Sequence, residues 1–317
     1  MADTTPTAPA GLLRPLGFGE LFDRAVTLYI RNFTPFSLIV LVVMLPYALA
    51  QYSMQARSLA QLGTMLGRPG AKPVDPLSGY GSLGDAAFAI LLVLTLLVVL
   101  PFVFGAVAMG VARLYRGEAV DLRSCYGRAL RHVGRMFGLM GMNVLIFLGI
   151  YFGIALSTFL LVAITVGVGQ LGTAGLVAGI VVDVVAGIAA MGLLIVVILS
   201  MGFSILAVVI EERRVFDAIG EGFSRVFSRG EFGRALLFAL AWAAISLVSA
   251  GTVYAFMFLA LYLHQPWIVT VENVVVTTVS YAFSTVLLAV YYYDVRIRRE
   301  GLDLETQLES LASTAPA

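Results

Sequence analysis

The residues whose types and spacing suit chemistry are few, and most lie in apolar stretches. Asp183 is the acidic residue placed well inside a long apolar run, where a carboxyl group costs ~3 kcal/mol at mid-bilayer and is a candidate for proton or ion binding. Asn273, Thr277, Ser280 and Ser284 are spaced four, three and four residues apart, which places them on one face of a helix. Such a face either joins helices by hydrogen bonds or lines a polar path for a headgroup or solute.

The depth of these groups is left open by the sequence. The run around Asp183 is longer than one span requires, so sliding it inward would bring the carboxyl group to the outer headgroups. Glu272 stands beside Asn273 at the outer start of the last apolar run, and we expect both to be interfacial.

Residues typical of catalysis or metal binding are scarce. His132 lies among arginines and His264 in a short loop on the predicted opposite side of a membrane, so the two cannot share a metal. Cys125 is expected on the apolar side of a helix as a small buried residue. The chain has no GxSxG and no GxxxxGK[ST] motif. We therefore expect no enzymatic activity, no cofactor and no metal.

Composition indicates a polytopic membrane protein. Hydrophobic residues make up 60% of the chain, charged residues only 12%, and the mean hydropathy is +0.96. The net charge of +1 argues against nucleic acid as a partner. Six apolar runs are each long enough to cross about 30 Å of hydrocarbon as a helix. They span residues 34–52, 86–114, 137–166, 174–210, 235–263 and 271–293.

Basic residues are segregated relative to these runs. One side receives only Arg57, Arg68 and Lys72, whereas the other receives the remaining seventeen of the twenty. Because short loops rich in Lys and Arg stay in the cytoplasm, the pattern predicts six spans with both termini inside. We expect residence in a bacterial cytoplasmic (inner) membrane. The predicted organisation is a disordered tail over 1–19, a six-span membrane domain over 20–299 and a cytoplasmic tail over 300–317.

Three inner segments have the periodicity of amphipathic helices. The apolar side of the first carries Phe22, Ala25, Val26, Tyr29 and Phe33. That of the second carries Leu122, Cys125, Tyr126, Ala129, Val133 and Met136, and that of the third Phe216, Ile219, Phe223, Val226 and Phe227. Arginines on the opposite sides are candidates for contact with anionic headgroups, the alternative being that these helices only set the depth of the next span. They are Arg24, Arg31, Arg123, Arg128, Arg131, Arg135 and Arg225.

The first and third segments match at an offset of 194 residues, pairing Asp23 with Asp217 and Arg31 with Arg225. The chain is thus predicted to be all-α, built from three quasi-repeats of an amphipathic helix followed by a two-span hairpin.

Three stretches carry a family resemblance. PLGFGELFDRAVTLYIRNF from Pro15, VFDAIGEGFSRVF from Val215 and YYYDVRIRREGLDLE from Tyr291 resemble the membrane domain of bacterial glycerophosphoryl diester phosphodiesterases, which also occurs as a stand-alone protein. The resemblance implies a six-span helical domain with inner amphipathic helices. The catalytic barrel of those enzymes would need roughly 250 further residues, so their activity is not implied.

Two functions from different classes follow from these patterns. The first is a non-enzymatic membrane protein that organises or senses lipid, or a partner protein, at the inner leaflet. The alternative is a lipid or small-solute transporter that uses Asp183 and the Thr277, Ser280 and Ser284 face. GxxxG pairs at Gly149 and Gly153 and at Gly175 and Gly179 permit close helix contact, within the chain or in a homo-oligomer.

Overall fold

The computed structural model describes residues 15–65, 90, 93–170, 172–228 and 230–300. About 90% of the described residues are helical, and no strand occurs among them. The described helices of ten or more residues are α1 (Phe18–Arg31), α2 (Phe33–Met65), α3 (Leu100–Tyr115), α4 (Leu122–Arg131), α5 (Val133–Gly169), α6 (Thr173–Ile210), α7 (Val215–Val226), α8 (Phe232–Leu263) and α9 (Trp267–Glu300). A π-helical turn, Thr95–Val99, precedes α3 just before Pro101.

Several of these helices are long and apolar enough to cross a membrane. Five qualify within the described residues: Leu97–Tyr115, Val133–Gly169, Thr173–Ile210, Phe232–Leu263 and Trp267–Arg299. A sixth is counted if α1 and the first half of α2, which meet at an angle of 77°, form one broken span. The prediction of a helical protein with several helices long and apolar enough to span a membrane is therefore confirmed for the described residues.

The start of the chain is more ordered than predicted. The expected disordered tail ended at residue 19, but Leu16 is buried and α1 begins at Phe18. Residues 1–14 of that tail, and 301–317 of the predicted C-terminal tail, lie outside the described residues.

The helices form two compact units. The first comprises Met1–Gly134, Val209–Glu212 and Ala244–Ala317, and the second comprises Arg135–Val208 and Arg213–Ala243. In the first unit, α1, α2 and α3 all pack against α9. Tyr115 of α3 stacks on Tyr293 of α9 with ring centroids 4.3 Å apart, and the Tyr281 hydroxyl donates to the Leu100 carbonyl at 2.7 Å.

A buried carboxylate ties the start of α1 to the end of α9. Asp294 Oδ1 accepts the backbone N–H of Leu16 at 2.7 Å, and Arg298 pairs with Asp294 Oδ2 at 3.1 Å. The Arg298 guanidinium also donates to the Leu16 carbonyl at 2.5 Å. Because the Asp294 side chain is fully buried, these partners replace the water that would otherwise solvate its charge.

In the second unit, the fourth apolar run forms one continuous helix, α6. Its C-terminal third is buried around Phe203 and Leu206. α7 and α6 approach closely at Gly222, where an added Cβ would lie 2.6 Å from the Ser200 carbonyl oxygen. By contrast, most of α5 is exposed, which leaves a long apolar surface uncovered by the described chain.

Candidate functional site

Helix α1 has three distinct sides rather than the two predicted. Ala25 and Tyr29 of the predicted apolar face are buried, together with Leu21 and Leu28. Val26 is instead 38% exposed. Since successive helical residues advance by about 100°, it belongs to a second apolar flank, which includes Phe18, Phe22 and Ile30 and which the described chain leaves largely uncovered. The third side carries Asp23, Arg24, Thr27 and Arg31.

Helix α7 repeats this arrangement with a different buried side. The predicted apolar residues Phe216 and Phe227 are exposed, Phe216 by 74%. Val226 is buried as predicted, but the helix otherwise buries Ala218 and Gly222, which were not on the predicted apolar side. These small residues allow close backbone approach to α6, which the bulkier aromatic side does not permit. The prediction of the buried side was therefore wrong for Phe216 and Phe227 and right for Val226, while Ile219 and Phe223 are half-buried.

Arg225 was assigned to the exposed polar side of α7, and the structure corrects this. The residue is only 2% exposed, and its Nε lies 3.0 Å from Glu221 Oε1, one turn earlier. Its sequence counterpart Arg31 is exposed. Arg225 is thus a buried, paired cation, and its guanidinium is not presented to the surface as a headgroup contact would require.

The segment around α4 presents a dense group of cations. Cys125, Ala129 and Met136 are buried, as predicted, while Arg123 and three further arginines are exposed. Those three are Arg128, Arg131 and Arg135. Asp121 caps α4 by accepting the Ser124 backbone N–H at 3.0 Å.

The ionisable groups beside α4 are tuned by these neighbours. A hydrogen bond from Arg116 lowers the pKa of Glu118, and the bond from the Ser124 backbone N–H lowers the pKa of Asp121. Burial raises the pKa of the Cys125 thiol and raises that of Tyr126 to about 12. The carboxylates therefore stay ionised between the arginines, whereas the thiol stays protonated and poorly nucleophilic.

His132, which the sequence places among arginines, is buried, whereas those arginines are exposed. It follows the last residue of α4, where the helix ends, and its side chain is 11% exposed. Its Nε2 lies 3.7 Å from Glu212 Oε1. The amphipathic segment predicted as one stretch is thereby divided, with α5 beginning at Val133.

Asp183 lies in α6, within the second unit, and is half-buried. Its Oδ1 is buried and has no hydrogen-bond partner among the residues that the structure describes. It follows Gly179 by one helical turn, where an added Cβ would come within 2.6 Å of the Thr165 side chain on α5. The carboxyl group therefore belongs to the α5–α6 side of its helix.

The predicted polar face of α9 belongs to the first unit, so it is described separately from Asp183. Asn273, Thr277, Ser280 and Ser284 are all half-buried. The Thr277 hydroxyl lies 3.5 Å from Asn273 Oδ1, and Ser280 accepts a 3.0 Å hydrogen bond from Ser249 of α8. The last contact joins two helices by hydroxyl groups, which is the structural alternative that the sequence left open.

Glu272 is the acidic group that sequence reasoning underestimated. It was expected at the interface, yet it is only 4% exposed and faces Thr252 of α8. A helical-period count shows it one turn before Val276 and two turns before Ser280, on the side that meets α8. That count was available from the sequence, but the identity of the covering helix was not.

The two glycine pairs differ in use. At Gly175 and Gly179 an added Cβ would fall within 3 Å of α5 atoms, so this pair forms a close contact within the chain. At Gly149 and Gly153 it would meet nothing within 4 Å. The surface of α5 at Gly149 and Gly153 is therefore not covered by the described part of the chain.

No group of three or more His, Cys, Asp or Glu side chains able to hold a metal occurs in the described part of the chain. Comparison with protein-family models, curated proteins and solved structures gave no match.

Proposed function

We propose that this chain is a non-enzymatic membrane protein whose three short helices lie at the inner leaflet, where exposed arginines of α1, α4 and the start of α5 bind anionic lipid headgroups. The supporting observation is that α1 and α7 bury one side and leave a separate apolar flank uncovered beside their polar residues. An interfacial helix needs such a flank to enter the acyl boundary while its polar side stays in water. We call α1, α4 and α7 the collar.

Arginines of the collar, together with Arg135 at the start of α5, supply the headgroup contact in this proposal. Arg31, Arg123, Arg128, Arg131 and Arg135 are exposed, and each attracts an anionic surface by about 1 kcal/mol. Arg24 is half-buried and is a secondary contributor. Arg225 is removed from the set because it is buried against Glu221.

Lipid retention tests this function. The protein would be released from vesicles of phosphatidylethanolamine and phosphatidylglycerol and weighed by native mass spectrometry. Replacing Arg128, Arg131 and Arg135 by Gln should weaken phosphatidylglycerol retention up to ~100-fold, since about 3 kcal/mol of attraction is lost. The matched triple Lys variant keeps the charge and should retain the lipid. Equal retention by the Gln variant and the wild type contradicts the proposal.

We further propose six spans, a cytoplasmic location of both termini and three quasi-repeats in a bacterial inner membrane. The order of elements supports the repeat, because each short helix α1, α4 and α7 precedes a pair of long helical segments. The segregation of seventeen basic residues supports the orientation. A reporter fused after residue 317 should be cytoplasmic, and a periplasmic reporter would overturn the orientation.

We also propose that the chain is related to the membrane domain of the bacterial glycerophosphoryl diester phosphodiesterases. Two of the three segments that carry the resemblance touch, because Leu16 of the first is bound by Asp294 and Arg298 of the last. We call this contact of Leu16 with Asp294 and Arg298 the clasp. If the phosphodiesterase membrane domain forms the same contact, the need to keep it explains why the two sequences resemble each other in these segments.

Transport of a lipid or small solute is the second candidate function. It is favoured by Asp183, whose Oδ1 finds no partner in the described part of the chain. Asp183→Asn should abolish substrate-driven proton flux into vesicles that contain a pH-sensitive dye, whereas the triple Gln variant should leave it unchanged. The reverse pattern would favour the collar.

A further inference from the structure

A buried acid lies at the contact between α8 and α9 in the first unit. Glu272 is the sixth residue of α9, about 7 Å along the helix axis from its start. Near this end, α9 packs on α8 and α2 through the apolar cluster of Ile268, Ala260 and Leu59. Only 4% of Glu272 is exposed. Its carboxyl group is therefore buried between α9 and α8.

The carboxyl group lacks the donors that stabilise a buried charge. Its Oε1 lies 3.5 Å from the Thr252 hydroxyl, but that hydroxyl also lies 2.7 Å from the Ser249 carbonyl and donates there. At 3.5 Å the contact with Glu272 is marginal as a hydrogen bond. Glu272 Oε2 is buried and has no partner among the described residues.

No cation faces this group in the described part of the chain. On α8 the nearest ionisable residues in sequence are Tyr254 and Tyr262, which are 60% and 79% exposed. On α2 the ionisable residues nearest in sequence to Leu59, which packs on this end of α9, are Tyr52 and Arg57, and both are exposed. None of the four forms an ion pair or hydrogen bond with Glu272. The neighbouring turn holds His264, whose Nδ1 lies 2.8 Å from the Tyr262 carbonyl.

We propose that Glu272 is a proton-binding site within the membrane, and that its carboxyl group is a neutral acid at neutral pH. An ionised carboxylate that is desolvated without a cation or strong donors is strongly disfavoured, so the group holds a proton instead. Further hydroxyl groups lie along the same contact between α8 and α9. Thr252 donates to the Ser249 carbonyl, and the Ser249 hydroxyl donates to Ser280 of α9. The site is independent of lipid binding by the collar.

A hydrophobic carbodiimide tests the proposal, because it reacts with protonated carboxylic acids in apolar surroundings. The acid O–H adds across one N=C bond, and an O-to-N acyl shift yields an N-acylurea, so the mass rises by that of the whole reagent. The full chain in phosphatidylethanolamine and phosphatidylglycerol vesicles would be treated with dicyclohexylcarbodiimide between pH 6 and pH 9 and mapped by mass spectrometry. We expect label at Glu272 at pH 7, falling about tenfold per pH unit above its midpoint. Asp217, exposed on α7, is the carboxyl control and should stay unlabelled.

A second measurement does not depend on reagent access. The infrared spectrum of the wild type at pH 7 should contain the carbonyl stretch of a protonated acid that Glu272→Gln lacks. Absence of both this band and the label overturns the proposal. It is also overturned if a water-soluble carbodiimide and an amine modify Glu272 as readily as Asp217, because Glu272 would then be an exposed carboxylate.

Discussion

Replacing Gly222 by Ala should weaken the packing of α7 on α6. An added Cβ would lie 2.3 Å from Ser204 Oγ, 2.6 Å from the Ser200 carbonyl oxygen and 2.8 Å from the Ser204 backbone nitrogen. Two of these are backbone atoms, so rotating one side chain cannot relieve the clash. To reach an ordinary separation from the Ser200 oxygen, α7 has to withdraw by roughly 0.8 Å, which loosens every contact along its buried side.

The magnitude follows from two opposing effects. Overpacking of this kind costs about 1–3 kcal/mol, while Ala stabilises a helix by about 0.5–1 kcal/mol relative to Gly. We expect a net loss of about 1–2 kcal/mol in the free energy that holds α7 on α6. Gly220→Ala is the matched control on the same helix, since its Cβ meets nothing within 4 Å. It should instead stabilise by about 0.5–1 kcal/mol.

Hydrogen exchange read by mass spectrometry over peptides of α7 measures this free energy in detergent. Faster exchange in Gly222→Ala and slower exchange in Gly220→Ala are the expected results. If the two variants exchange alike, α7 does not pack on α6 through its small-residue side. The assignment of its aromatic side to lipid would then be wrong.

Gly179→Ala should destabilise the α5–α6 contact by about 1–3 kcal/mol in thermal unfolding, because its Cβ would lie 2.6 Å from an α5 side chain. The control Gly187→Ala, whose Cβ would meet nothing within 4 Å, should not destabilise the protein. Equal losses of stability in the two variants would refute the contact. Asp294→Ala should cost about 3 kcal/mol and expose α1 to trypsin, since it removes the carboxylate partner of a buried network. Arg299 is exposed, so the control Arg299→Ala should change the free energy of unfolding by no more than about 0.5 kcal/mol. If trypsin cleaves α1 equally fast in the two variants, Asp294 does not hold the start of α1. Because burial raises the pKa of the Cys125 thiol, maleimide should label it more slowly at pH 7 than it labels the exposed cysteine of a Cys125→Ala, Gly127→Cys variant, and the rate should rise as pH increases. Comparable rates would contradict its burial.

Some positions of the candidate sites were predictable from periodicity alone. The burial of Cys125, Ala129 and Met136 follows from residue spacing because one face of the α4 region is apolar and the other is rich in arginine. The continuity of α6 could be predicted from charge, because splitting this run would separate the five arginines that follow it from the other basic segments of the chain.

Other positions were decided by which neighbour covers a face. α7 has an aromatic side and a small-residue side, and hydropathy favours the aromatic side as buried. The structure buries the other, since only Gly222 permits the backbone contact with α6. Arg225 moves to the interior with that choice, where Glu221 pairs with it.

The sequence by itself determined that the chain is helical, apolar enough for several membrane spans and asymmetric in its basic residues, because these properties depend on composition and local spacing. Only the tertiary structure decided which side of each short helix is covered and which acid is left without donors. Glu272 illustrates the reason: its burial arises from a helix that precedes it by a short turn, and no local pattern states how closely two helices approach or what faces the carboxyl group across their contact.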